Sequence, residues 1–217
     1  MAPQLLAQLK LKGCVVTGDA LYAQRELSRQ VVEQGGEYFW VLKDNQPSVR
    51  EAIALLFAQP PWGEQFAAVC QKGRHGDRQE VRQLWASTAL NDYLDWPYLQ
   101  QVCCVERTRT RKAMSSQETA YAITSLSPAK ARAPELLQVW RGHWAIENKL
   151  HWVRDVTMDE DRCQIRSGAA PQAMAACRNL VIGLLRRRKV GNIAAALRTY
   201  AGRPGMAVAL VLSGGQG

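Results

Sequence analysis

Apolar residues along this chain fall into short unbroken runs at the front, alternating segments in the middle, and three-to-four-residue repeats toward the end. The run Cys14-Val15-Val16-Thr17-Gly18 is bounded by glycines and too short for a helix, so it predicts a buried strand that ends at Asp19. A helix is expected over about 22–34, where Ala23, Leu27 and Val31 share an inner face and Gly35-Gly36 supply the stop. Tyr38-Phe39-Trp40-Val41-Leu42 predicts a second buried strand, and Val49, Ile53, Leu56 and Phe57 mark a second helix closed by Pro60-Pro61. Strand, helix, strand, helix implies parallel pairing within an α/β sheet.

From about residue 62 the pattern changes to β segments at 80–87, 99–107 and 119–126, joined by polar links such as 108–117. Helical signals return at Pro134 and run through the segment that holds Glu147. Pro171 opens another helix, whose Met174, Cys177, Val181, Leu184 and Leu185 form the expected inner face and whose end is the cluster Arg186-Arg187-Arg188-Lys189. A short helix over 192–200 and a frayed tail over 213–217 complete the pattern. The expected division is a partial α/β core over 1–60 carrying Asp19, a β-rich insertion over 61–127, and a helical completion over 128–217 carrying Glu147 and basic terminal helices.

Composition narrows the class. With 217 residues and 47% hydrophobic content the chain can bury a real core. Its 28 Lys and Arg against 19 acids give a formal charge of +9, which favours a polyanionic partner, nucleic acid ahead of an anionic membrane surface. No apolar stretch approaches the roughly 20 residues of a membrane span, and the first residues show no charged leader followed by an apolar block, so a cytoplasmic protein is expected. The six cysteines form no Cys-x-x-Cys pair and sit among apolar neighbours, which points to buried reduced thiols for most of them, with Cys103-Cys104 packed across a strand.

Two acids carry the candidate chemistry. Asp19 at a strand's carboxyl end and Glu147 on a helical segment are hard oxygen donors of the kind from which Mg²⁺ phosphoryl-transfer sites are built. An aspartate after a strand also commonly serves as a helix cap. Glu147 lies among Trp140, Arg141, His143, Trp144, Lys149, His151, Trp152 and Arg154, a mixture suited to gripping phosphates or, for the tryptophans, to packing a core. On a continuous α-helix His143, Glu147, His151 and Asp155 would recur every four residues, leaving a His-Glu-His zinc or iron site as the alternative; Gly142 interrupts the pattern. Arg107, Arg109, Arg111 and Lys112 read either as a solvated hairpin link or as a grip on a DNA backbone. Asp159, Glu160 and Asp161 read mainly as capping and ion-pair residues, the alternative being that one of them approaches the metal site.

The blocks Val15-Val16-Thr17-Gly18-Asp19-Ala20, Gly35-Gly36-Glu37-Tyr38 and Leu42-Lys43-Asp44-Asn45-Gln46, followed by Arg141-Gly142-His143-Trp144-Ala145-Ile146-Glu147-Asn148 and its continuation to Val156, resemble bacterial insertion-sequence transposases of the H-repeat-associated branch. The resemblance implies a DDE enzyme with a ribonuclease-H-like α/β fold, an antiparallel β insertion and a helical C-terminal region. It implies Asp19 and Glu147 as the second and third acids of the triad, with Mg²⁺ or Mn²⁺ as cofactor. Transposon-end and target DNA are the implied partners, in a homo-oligomer when active and with no membrane. Lys43, Asn45, Arg141, His143 and Arg154 are the implied phosphate contacts.

In the wider class the glutamate belongs to a tyrosine-arginine-glutamate-lysine signature. Trp140, His143, Glu147 and Arg154 stand at those positions, so the tyrosine hydroxyl is replaced by an indole. The class carries its first acid on an earlier strand, upstream of the segment that residues 1–13 resemble. The chain is therefore expected to be a carboxyl-terminal portion with an uncovered sheet edge, catalytically incomplete by itself. The alternative function is a non-enzymatic DNA-binding remnant.

Overall fold

The structure, a computed structural model, describes residues 2–112, 114–144 and 146–214, with the side chains of His75, Glu147 and Asn148 outside that description. The chain divides into two units, Met1–His143 and Trp144–Gly217. In chain order the first comprises α1 (Ala2–Leu6), β1 (Val15–Gly18), a 3-10 turn (Ala20–Tyr22), α2 (Arg25–Glu33), β2 (Glu37–Leu42), α3 (Pro47–Ala58), β3 (Ala67–His75), β4 (Arg78–Ser87), β5 (Gln101–Arg111), β6 (Met114–Thr124) and α4 (Ala133–His143).

β2 organises this unit. Successive strand residues point to opposite faces, so Tyr38, Trp40 and Leu42 join Leu27 and Val31 of α2 and Ile53 of α3 in one core. Phe39 and Val41 join Leu136, Leu137 and Trp140 of α4 in the other. The apolar run is unbroken because both faces are covered, and each fully buried large side chain contributes about 1.5–3 kcal/mol. One hydroxyl serves both indoles of the first core: Ser28 Oγ accepts from Trp40 Nε1 at 2.9 Å and from Trp96 Nε1 at 3.1 Å, and donates to the Gln24 carbonyl at 2.9 Å. α2 stops in a Schellman turn, with Gly35 at φ +80°, its N–H on the Val32 carbonyl and the Gly36 N–H on the Val31 carbonyl.

The sheet has six strands in the order β1-β2-β6-β5-β4-β3. β1 and β2 are parallel, in register from Val15 opposite Glu37 to Gly18 opposite Trp40. From β2 through β6, β5 and β4 to β3 every neighbour is antiparallel. The molecule is thus mixed α/β with a mostly antiparallel sheet, and β1 is an edge strand. The polar link expected over 108–117 is instead the tip of a long hairpin: β5 and β6 stay paired out to Arg111 opposite Met114.

In the second unit two π-helical segments, Glu147–His151 and Val153–Thr157, precede a 3-10 turn (Glu160–Arg162), α5 (Ala170–Arg187), α6 (Ile193–Ala201) and α7 (Pro204–Leu212). Its core is Val153 with Ile182, Leu184 and Leu185 of α5, Ile193 of α6 and Leu210 of α7. The inner face expected for α5 holds only in its second half, since Met174 and Cys177 are exposed. Of the cysteines expected to be buried, Cys103 and Cys104 are, whereas Cys14 and Cys70 are exposed as well.

Candidate functional site

Asp19 is set in place by the glycine before it. Gly18 lies opposite Trp40, and a Cβ added there would fall 2.7 Å from Tyr22 Cβ and 2.8 Å from the Trp40 ring. Only glycine lets the strand end close on the indole and turn at once into the 3-10 segment. Asp19 then caps that segment, its Oδ1 accepting the Leu21 N–H at 3.1 Å. The cap uses one lone pair of an exposed carboxylate, so the same side chain retains acceptor capacity toward a hard cation.

The loop after β2 is tied to this turn. Asn45 Nδ2 donates to the Ala20 carbonyl, and Gln46 Nε2 donates to the Ala23 carbonyl at 3.0 Å. Lys43, exposed, begins that loop. From the other face of the sheet the last turn of α4 arrives: His143 Nδ1 lies 3.4 Å from Thr17 Oγ1, and Arg141 Nη1 donates to Gln71 Oε1 of β3 at 3.0 Å. Trp140 is buried edge-on against Phe39, ring centroids 6.0 Å apart, so this indole packs the core. Asp19, Asn45 and His143 therefore gather around the carboxyl end of β1, with Lys43 at the start of the loop that Asn45 ties to it, while Arg141 reaches the opposite edge strand.

Arg154 is placed in the second unit. Its Nε and Nη2 donate to the two oxygens of Glu160 at 2.5 and 2.6 Å, and Arg178 stands 3.7 Å from the same carboxylate. The Arg154 hydrogen bonds hold Glu160 below the usual carboxylate range, and Glu160 in turn raises Arg154. The guanidinium fork is thus already engaged by a carboxylate. Glu147 begins the first π-helical segment, and its side chain lies outside the described residues. The four-residue stripe expected for His143, Glu147, His151 and Asp155 is not maintained, because α4 closes at His143 and the i to i+5 bonding of a π-helix breaks a four-residue register. Among the described residues no three His, Cys, Asp or Glu side chains cluster so as to hold a metal. Asp19 is a hard oxygen donor and by itself fits one position around Mg²⁺ or Mn²⁺.

Sequence reasoning missed Arg78 and Arg82 of β4. In register they face Arg111 and Arg107 of β5, with Glu80 opposite Arg109 between them. The signal was present as alternation, Arg78-x-Glu80-x-Arg82 against Arg107-x-Arg109-x-Arg111, but it is a polar alternation without the apolar contrast that marks a strand.

A family model described as a transposase DDE domain matches residues 1–184, and the chain belongs to that family. It is 30% identical over 195 residues to "Putative protein YbfL" of Escherichia coli strain K12, covering 87% of this chain and 51% of that protein. It is likewise 30% identical over 197 residues to "H repeat-associated putative transposase YhhI" of the same strain, with the same coverage. To "Putative transposase YncI" of Escherichia coli O157:H7 it is 30% identical over 192 residues, covering 85% of this chain and 48% of that one. The chain spans about half the length of these curated relatives. Among the described residues no helix is long and apolar enough to cross a membrane.

Proposed function

We propose that this chain serves DNA transposition, as the part of a DDE transposase that carries Asp19 and Glu147 as metal-binding carboxylates. The reaction is hydrolysis of a phosphodiester at an element's end followed by attack of the freed 3′-hydroxyl on target DNA. The observation that carries this is Asp19, an exposed carboxylate at the carboxyl end of an edge strand, inside a family match that extends over both acids. In finer terms the fold is ribonuclease-H-like: residues 1–60 form part of its core, 61–127 a β-rich insertion and 128–217 its helical completion. The parallel β1/β2 pair and the antiparallel run from β6 to β3 support that division.

When bound, Mg²⁺ or Mn²⁺ supplies Lewis-acid activation of the attacking oxygen and charge stabilisation of the leaving one. The residues of this chain orient and neutralise. Lys43 offers a cation at the β1 end; Asn45 fixes the turn that carries Asp19 and has a second amide proton for phosphate; His143, beside Thr17, is a proposed phosphate contact that would exchange its present interactions for DNA. Arg141 and Arg154 are proposed phosphate contacts whose present partners, Gln71 and Glu160, would be exchanged for DNA. A working enzyme is proposed to be a cytoplasmic homo-oligomer that pairs two element ends.

The test is association with a fluorescently labelled duplex in EDTA and in Mn²⁺. Mn²⁺ is expected to strengthen binding by the native chain and to leave Asp19→Asn unaffected. Binding that is indifferent to Mn²⁺ in both, or strengthened equally in both, overturns the metal-site assignment and favours the non-enzymatic DNA-binding alternative.

A further inference from the structure

The strands β4 and β5 extend beyond the part of the sheet that α4 covers. On the face that nearer the core carries Leu84, Ala86, Cys103 and Val105, the extension carries Arg78 and Arg82 opposite Arg111 and Arg107, with Arg109 opposite Glu80. Directly paired residues share a face, so these guanidinium groups form two rows about one strand spacing apart. The reverse face of the same stretch bears Gln79, Val81 and Gln83 against Thr110, Thr108 and Glu106. The positive charge is therefore one-sided.

Such pairing opposes stability, since like charges directly across a ladder repel. Carboxylates hold the arrangement: Glu80, buried, is 2.8 Å from Arg82 Nη2, hydrogen-bonded to Arg107 Nε, and 3.7 Å from Arg109 Nε, while Glu118 lies 3.5 Å from Arg109 Nη2 and Asp77 accepts from Arg111 Nε at 3.0 Å. Burial disfavours the charge of Arg82, Glu80 favours it, and the neighbouring charges of Arg107, Arg141 and Arg109 again disfavour it. The crowd thus extends to Arg141 on the last turn of α4, the turn whose His143 meets β1 at Thr17. At the far end Arg78, Arg109, Arg111, Lys112 and Met114 line an open surface cavity of about 620 Å³. Same-face residues of β5 are about 6.8 Å apart, the scale on which phosphates follow one another along a nucleic-acid strand.

We propose that this arginine face of β4 and β5 is a docking surface for the phosphate backbone of duplex DNA, which it grips without reading base sequence. The proposal rests on the DNA reading above and adds a site remote from Asp19. Glu80 acts as the strut that holds Arg82 and Arg107 in two rows, leaving Arg78 and Lys112 to meet the ligand first, with Arg111 joining them by exchanging the exposed Asp77 for phosphate. Neutralising phosphates releases counterions, so each contact adds about 0.9 to the slope of log affinity against log salt.

The test compares the full chain with Arg78→Gln/Arg111→Gln/Lys112→Asn, which leaves the Glu80 cluster intact. A second triple, Lys10→Gln/Arg29→Gln/Arg132→Gln, removes the same charge elsewhere, and far-UV circular dichroism with a thermal melt confirms that both fold. Anisotropy of labelled duplexes of unrelated sequence, in EDTA over a salt series, should show the first triple losing about tenfold in affinity at physiological salt and about two to three units of slope, for every sequence alike. The second triple should stay close to the native chain. Equal losses in the two triples, or none in the first, overturn the docking face while native duplex binding still supports the DNA reading. Absence of duplex binding by the native chain, or binding only to single-stranded RNA or to phosphatidylserine vesicles, overturns both.

Discussion

His143 Nδ1 lies 3.4 Å from Thr17 Oγ1, which fastens the last turn of α4 to β1 two residues before Asp19. The contact is long for a hydrogen bond, and either group can donate according to the imidazole tautomer. Within the same turn Arg141 reaches Gln71 on the strand at the opposite edge of the sheet, so one helix end meets both edges. A double-mutant cycle of His143→Ala and Thr17→Val, followed by urea denaturation, is expected to give a coupling of about 0.5–1 kcal/mol. Additive losses would mean that the pair is merely adjacent.

Gly18→Ala should be costly out of proportion to one methyl group. The added carbon meets the Trp40 ring and Tyr22 Cβ below 3 Å, and overpacking of that kind costs about 1–3 kcal/mol. Gly142→Ala is the comparison, because a Cβ there meets nothing within 4 Å. Thermal melts should separate the two substitutions clearly; equal midpoints would contradict the tight approach of β1 to the indole.

These contacts show which parts of the fold could be read in advance. β1 and β2 were legible because both faces of β2 are covered and glycines bound β1, leaving short apolar runs with sharp ends. Asp19 at the strand's end followed directly. The hairpin beyond Arg107 was not legible, because a solvated arm paired by Arg, Thr, Ser and Gln has backbone ladder bonds but no apolar contrast between its faces. β3 was missed for the same reason, as Gln71, Lys72, Gly73 and Arg74 carry no alternating apolar signal. The π-helical winding from Glu147 could not be seen either, since apolar spacing is read against an α-helical period.

Glu80→Gln should destabilise the arm in a pH-dependent way. Burial alone would raise this carboxyl, but the Arg107 hydrogen bond and the charges of Arg82 and Arg107 outweigh it and hold it below the usual carboxylate range. A depressed folded value means that the contribution is fully present above the unfolded value near pH 4 and is lost as pH falls through the folded one. At neutral pH the variant is expected to lose about 2 kcal/mol, a figure lowered from that of a fully buried pair because the arginines are partly exposed. The gap between variant and native stability should narrow on acidification; a gap independent of pH from neutrality to below pH 3 would refute the electrostatic origin.

Thiol reactivity should divide the cysteines. Burial pushes Cys103 strongly up and Cys104 to about 12, whereas hydrogen bonds from Arg178 and from the Ile165 backbone lower Cys163. Cys163 should therefore react with iodoacetamide well before the buried pair, and Arg178→Ala should slow it. Mass-spectrometric mapping over a time course reads the order directly, and earlier labelling of Cys103 or Cys104 would contradict their burial.

The central claim is that Asp19 and Glu147 both ligate a divalent cation. Mn²⁺ titration followed by electron paramagnetic resonance, on the native chain, Asp19→Asn and Glu147→Gln, tests it most directly. Saturable binding by the native chain, weakened at least about tenfold by each substitution, is the expected result. Native-like Mn²⁺ affinity in both variants, or no saturable site in the native chain, would contradict it.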